Sequence, residues 1–93
     1  MNFLQKSAQF VGDLRQVRIL EPTDVIDVEQ TDMEYILKIT LDQNARIVRS
    51  AHQFELVRIC SKQIKTIQSF ARDYFENSAV FAGNYSVKVT IPK

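Results

Sequence analysis

Residues 58–75 read RICSKQIKTIQSFARDYF, and they decide the fold because their apolar side chains recur at helical spacing. Each residue of an α-helix is rotated about 100° from the one before it, so the apolar side chains lie on one face. Positively charged side chains lie on the opposite face, within about 40° of the direction of Arg58. The apolar face consists of Leu56, Cys60, Ile64, Ile67, Ala71 and Tyr74. The opposite face, termed the basic stripe, consists of Arg58, Lys62, Lys65 and Arg72, with Ser69 among them. The pattern predicts one long helix over about residues 54–77, ended by Asn77.

Three strands are predicted around this helix. DVIDVEQ (24–30) and EYILKITL (34–41) are separated by residues 31–33, which is the pattern of a β-hairpin. YSVKVTIP (85–92) alternates polar and apolar residues without a break and follows a predicted loop at 78–84. In these alternating strands, every second side chain faces the core. The core-facing residues are Tyr35, Leu37, Ile39, Leu41, Tyr85, Val87, Val89 and Ile91.

The N-terminal segment is less regular. Residues 2–11 have apolar side chains at roughly helical spacing, which predicts a short N-terminal helix. Gly12 and Asp13 are expected to interrupt that helix, because glycine and aspartate are poor residues in a helix interior. The apolar residues within 17–20 then predict a short strand.

Two interpretations compete for residues 45–50, which read ARIVRS. The apolar residues of this segment are consistent with a strand. Ser50 and Gln53, in contrast, have the spacing of a capping box, which would begin a helix near residue 50. The sequence leaves both interpretations open.

The chain has 93 residues and 45% hydrophobic side chains, which is enough for one domain with one core. Strands followed by a long helix and a further strand indicate an α+β fold. We expect an antiparallel sheet of three to five strands, packed by one long helix at about 54–77 and a short N-terminal helix.

The net charge is +1, but the two halves differ in sign. Residues 1–42 contain four basic and eight acidic residues, whereas residues 43–93 contain eight basic and three acidic residues. Arg46 and Arg49 are expected to extend the basic stripe at its N-terminal end. Opposite charges on the two halves indicate a contact surface, either within the chain or between copies.

No catalytic constellation is expected. The chain has one histidine, His52, and one cysteine, Cys60, which a helix would separate by about 12 Å along its axis. That distance is too long for a nucleophile–base pair, and Cys60 lies in the apolar face. One cysteine also excludes a disulfide within the chain and a cysteine-based zinc site. We expect a non-catalytic protein without a metal ion or other cofactor.

The acidic cluster between Asp24 and Glu34 does not change this expectation. Calcium loops need a glycine at the turn, and no glycine occurs between Gly12 and Gly83. Glycine-rich phosphate loops are excluded for the same reason. Asp27 and Glu29 would share one strand face, which is expected to be solvated or to contact a protein.

The location is expected to be cytoplasmic. MNFLQKSAQFVG (1–12) lacks the continuous apolar core of a secretory signal, and no stretch approaches the ~20 apolar residues of a membrane span.

The basic stripe has three interpretations: a solvated helix surface, a contact with an acidic protein surface, or a contact with nucleic-acid phosphates. We expect a small interaction module that acts through protein–protein contacts and self-associates. A nucleic-acid-binding protein that uses the basic helix face is the alternative. The predicted interaction residues are Arg58, Lys62, Lys65, Arg72, Arg46, Arg49, Asp27 and Glu29.

Overall fold

The computed structural model describes residues 2–47, 53–76 and 78–93. A four-stranded antiparallel sheet has the strand order β1-β2-β4-β3. The α+β prediction, with a long helix and an N-terminal helix, is therefore confirmed. The elements in chain order are α1 (Phe3–Gln16), β1 (Val25–Gln30), β2 (Glu34–Thr40), α2 (Gln43–Ile47), α3 (Gln53–Tyr74), β3 (Ala79–Ala82) and β4 (Ser86–Pro92).

One hydrophobic core lies between the sheet and the helices, which cover one face of the sheet. The alternation predicted for β2 and β4 is confirmed at Leu37, Ile39, Val87 and Val89, each at most 1% exposed. The apolar face of α3 packs against them, as its helical spacing requires. The remaining core residues include Phe10, Val11 and Leu14 of α1, Leu56, Cys60, Ile64, Ile67 and Ala71 of α3, and Phe75 directly after α3.

The other face of the sheet, termed the open face, is not covered by the described residues. Side chains there alternate with the core-facing ones, so Asp27, Lys38, Lys88 and Phe81 lie in one row across the four strands. All four are exposed, and Phe81 retains 61% of its accessible surface. One face of the sheet is therefore buried in the core and the other is exposed to solvent, as is common for antiparallel sheets.

Helix α1 is longer than predicted, and no strand follows at residues 17–20. The helix continues through Gly12 and Asp13 because the burial of apolar side chains on the turns around them outweighs their low helix propensity. Its end is a Schellman motif, in which the backbone N–H groups of Arg18 and Ile19 donate to carbonyl groups of the last turn. Arg18 has a φ of 60°, the left-handed conformation that this motif requires.

Strand β3 lies within the predicted loop at 78–84, so that prediction is wrong for Ala79–Ala82. The sequence AVFA at 79–82 does not alternate between polar and apolar residues, so it lacks the pattern by which the other strands were predicted, and β3 lies at the edge of the sheet. Its pairing with β4 stabilises it, and the backbone N–H of Gly83 donates to the carbonyl of Ser86 in the connecting turn.

Of the two interpretations that the sequence left open for residues 45–50, the structure shows a helix at 45–47, as part of α2 (Gln43–Ile47), and residues 48–50 lie outside the described residues. The proposed capping box at Ser50 lies outside the described residues. Helix α3 ends at Tyr74, earlier than the predicted end at Asn77, because the described residues 75 and 76 are not helical. The helical conformation of α2 is accompanied by a hydrogen bond from Arg46 Nη1 to the carbonyl of Asp42, one helical turn earlier.

Arg46 is fully buried and pairs with Asp24, just before β1. Its Nη1 and Nη2 atoms donate to the two carboxylate oxygens at 2.6 and 2.7 Å. The carboxylate also accepts hydrogen bonds from the backbone N–H groups of Glu21 and Asp42. Such bidentate pairs are among the strongest hydrogen-bonded contacts in proteins. The prediction that Arg46 extends the basic stripe is therefore wrong, because its charge is neutralised inside the protein.

The same guanidinium connects four parts of the chain. Besides Asp24, it donates to the carbonyl groups of Ile19 and Asp42 and to the side chain of Gln63 on α3. These contacts join the end of α1, the start of β1, α2 and α3. A buried cation needs this many acceptors, because each unsatisfied donor in a dry interior costs free energy.

We predict that Arg46→Met lowers the free energy of unfolding by about 3–5 kcal/mol, because it leaves the Asp24 carboxylate buried without its counter-charge. Urea unfolding followed by circular dichroism measures this difference. Arg46→Met combined with Asp24→Asn should lose less than the single variant, since no buried charge remains. Arg72→Met, an exposed arginine, is the control and should change stability by at most about 0.5 kcal/mol. A loss below about 1 kcal/mol for Arg46→Met contradicts the prediction.

Arg18→Gly should raise the free energy of unfolding by about 1 kcal/mol, because glycine adopts the left-handed conformation without the Cβ clash that arginine has. Arg15→Gly, inside the last turn of α1, is the matched control and should lower stability by about 1 kcal/mol. Thermal unfolding of both variants distinguishes the backbone effect from the loss of one positive charge, which the two changes share.

Candidate protein-interaction surfaces

The basic stripe lies on the face of α3 directed away from the sheet. Because the opposite face of the helix is buried in the core, the stripe has a fixed orientation toward solvent. From the first to the last cation it extends about 21 Å, at 1.5 Å per residue. The structure therefore brings together on one exposed surface the predicted residues Arg58, Lys62, Lys65 and Arg72, with Ser69 between them.

Arg58 differs from the other stripe residues because it has an intrahelical partner. Its Nη2 donates to Glu55 one helical turn earlier, and this hydrogen bond raises the pKa of Arg58. Among the described residues, Lys62, Lys65 and Arg72 have no carboxylate at ion-pair distance. The stripe therefore contains three exposed cations that have no ion-pair partner within the described ranges.

Asp27 and Glu29 lie on the opposite side of the molecule from the stripe. Both are exposed on β1 and point to the open face, as their spacing of two residues predicts. Asp27 is opposite Lys38 and Glu29 is opposite Ile36 on the neighbouring strand. The sheet and α3 separate this acidic pair from the stripe, so the two cannot contact each other within one copy of the chain.

Two predicted interaction residues do not belong to the described surfaces. Arg46 is buried in the ion pair with Asp24, and Arg49 lies outside the described residues. Asp24 itself was predicted to be part of a solvated acidic cluster, and its burial is a second correction. The sequence contains no local signal for this pair, because its two members are 22 residues apart.

The open face also has a pair of positive charges that could not be predicted from the sequence. Lys38 and Lys88 are directly opposite each other on the central strands β2 and β4, on the open face. Like charges at such positions destabilise a strand pair. Their proximity depends on the register between strands far apart in the chain, and only the alternation of each strand could be derived from the sequence.

Cys60 is fully buried, and its desolvation raises the pKa of the thiol. A thiol with a raised pKa is mostly protonated at neutral pH and is a poor nucleophile. Within residues 2–47, 53–76 and 78–93, no group of three or more histidine, cysteine or carboxylate side chains is placed to hold a metal ion. His52 lies outside these ranges.

The chain matches no protein-family model, no curated protein and no solved structure. None of the described helices has the length and apolar character that crossing a membrane requires. The geometry of the surfaces is therefore the basis for assigning a function.

We predict that a disulfide reagent such as Ellman's reagent modifies Cys60 at least about 100-fold more slowly in the folded protein than in urea, because the thiol is buried and protonated. In a Cys60→Ala background, Ser61→Cys places a thiol at the adjacent exposed position and should react rapidly in the folded state. Equal rates for the two thiols in the folded protein contradict the burial of Cys60.

Proposed function

We propose that this protein is a non-catalytic interaction module whose basic stripe binds an acidic protein surface, and that one such surface is on a second copy of the chain. The observation that supports this proposal is the exposed row of cations on α3, of which Lys62, Lys65 and Arg72 have no carboxylate partner among the described residues. Complementary charge on a partner would accelerate association and fix its orientation.

A protein partner is favoured over nucleic acid for two reasons. The net charge of the chain is only +1, so the molecule as a whole does not attract a polyanion. Among the side chains that the structure describes, the α3 aromatic residues Phe70 and Tyr74 are half-buried, and Tyr74 packs against Phe10 of α1. They are therefore poor platforms for stacking nucleic-acid bases, which single-strand-binding proteins commonly use.

Self-association follows from the position of the acidic pair. Asp27 and Glu29 are exposed on the open face, on the side of the molecule opposite to the stripe. A contact between the stripe of one copy and the acidic pair of another is head-to-tail. Such a heterologous contact produces closed rings, in which every stripe and acidic pair is used, or open chains, which keep one of each free at their ends, and not a simple two-fold dimer.

We predict that the protein forms assemblies larger than a monomer at about 50 mM salt and dissociates at about 500 mM, because screening weakens contacts between exposed charges. Size-exclusion chromatography with light scattering measures this change. Lys62→Glu plus Lys65→Glu should abolish assembly. Lys6→Glu plus Lys93→Glu, which makes the same charge change away from the stripe, should retain it.

A charge exchange tests which surfaces meet. Asp27→Lys plus Glu29→Lys should also prevent assembly, and mixing this variant with Lys62→Glu plus Lys65→Glu should restore a mixed complex. A monomer at every salt concentration, with no mixed complex, contradicts self-association. If the wild-type protein instead binds oligonucleotides in an anisotropy titration and the stripe variant does not, the stripe is a nucleic-acid site and the proposed protein contact is wrong.

A further inference from the structure

A groove runs between α1 and the edge strand β1. Its central part has a cavity volume of about 310 Å³. The groove continues at both ends, because Leu4 also lines a depression beside Gln30 and Arg15 also lines one beside Arg18. Its central walls are mostly apolar and include Leu4, Ala8, Val11, Gly12, Ile26 and Val28.

Ser7 indicates that this groove is built for a ligand. It lines the groove, it is 2% exposed, and its hydroxyl oxygen is buried without a hydrogen-bond partner among the described residues. A buried hydroxyl without a partner destabilises a protein, and almost all such groups are satisfied. A peptide bound along the groove has backbone N–H and C=O groups on the edge that does not pair with β1, and one of these would satisfy the hydroxyl.

The edge of β1 indicates the shape of that ligand. β1 pairs only with β2, so every second backbone N–H and C=O group along its other edge points away from the sheet. An extended peptide can pair with these groups and add a fifth strand. The six residues of β1 span about 20 Å, which is also the length of the fourteen-residue helix on the other side of the groove.

The side chains of β1 indicate the peptide's sequence pattern. Ile26 and Val28 face the groove, whereas Asp27 and Glu29 face the open side. An added strand places alternate side chains beside each set. Apolar side chains would therefore enter the groove, and basic side chains would lie opposite the two carboxylates, where cross-strand pairs of opposite charge are favourable.

The charged end of the groove indicates the peptide's direction. Arg15 and Arg18 lie at the end of the groove where β1 begins. Glu21 also lies there, so this end has two positive charges and one negative charge. A strand antiparallel to β1 has its carboxyl end there. A terminal carboxylate would form charge-assisted hydrogen bonds with the guanidinium groups.

From these features we infer that the α1–β1 groove binds the carboxyl-terminal segment of a partner protein as an added antiparallel strand, with alternating apolar and basic side chains and its terminal carboxylate at Arg15 and Arg18. A second copy of β1 fits less well, because its Asp27 and Glu29 would lie opposite the same acidic residues. This inference is independent of the basic stripe.

The test uses an N-terminally fluorescein-labelled hexapeptide of alternating valine and lysine residues with a free carboxyl terminus, titrated with the full chain and followed by fluorescence anisotropy. Three comparison peptides test the three features separately. One has an amidated carboxyl terminus, one has glutamate in place of each lysine, and one has three valines followed by three lysines in place of the alternation. We expect each of them to bind at least tenfold more weakly than the parent peptide. Equal binding of all four peptides, or no binding of the parent, overturns the inference.

Two variants test the groove itself. A side chain at Gly12 would meet no atom within 4 Å of its Cβ, so Gly12→Leu keeps the helix and fills the groove, and it should abolish peptide binding. Ser7→Ala removes a hydroxyl that has no partner in the free protein. It should leave thermal stability unchanged or raised and weaken peptide binding three- to tenfold.

The control variant is Lys62→Gln plus Lys65→Gln, which should bind the peptide at least as tightly as the wild type, because a loss of self-association would only make Asp27 and Glu29 more accessible. Wild-type affinity in Gly12→Leu overturns the groove assignment. An assembly in the wild type that Gly12→Leu converts to a monomer also overturns it, because the occupant would then be a second copy of the chain.

Discussion

The ion pair between Arg46 and Asp24 is the interaction on which the arrangement of this protein depends. It lies where the end of α1, the start of β1, the short helix α2 and the middle of α3 meet, and the guanidinium of Arg46 donates to groups from all four. A buried ion pair contributes little net stability compared with apolar residues, because desolvation offsets the attraction. The role of this ion pair is to hold the four segments in their relative positions, because the N–H groups of the guanidinium find all their acceptors only in that arrangement.

Placing both long helices on one face of the sheet determines which surfaces remain for binding. The core uses the apolar faces of α1 and α3, so the basic stripe must face solvent on one side, and the acidic pair of β1 lies on the other. A sheet with an uncovered face also has two edge strands, β1 and β3. β3 is short, which limits pairing at its edge, whereas β1 is longer and has α1 beside it to form a groove.

These surfaces have different physical characters and are consistent with different partners. The stripe is a row of solvated cations, whose contacts are weakened by salt and are specified mainly by charge. The groove combines apolar walls, a buried hydroxyl and a strand edge, so its contacts would depend on backbone pairing and side-chain alternation. Both proposed contacts include pairs of opposite charge, but the groove contact also includes backbone pairing and apolar side chains, so we expect salt to weaken it less than the stripe contact.

The sequence by itself determined the elements whose side chains repeat with a regular period: the long helix, the hairpin of β1 and β2, and the final strand. It also determined that the cations of α3 share one face, because helical geometry fixes that relation locally. Tertiary structure alone decided the extent of α1, the existence of β3, the burial of Arg46 and the opposition of Lys38 and Lys88. Each of these depends on contacts between residues distant in the chain, where packing and hydrogen bonding outweigh local propensity.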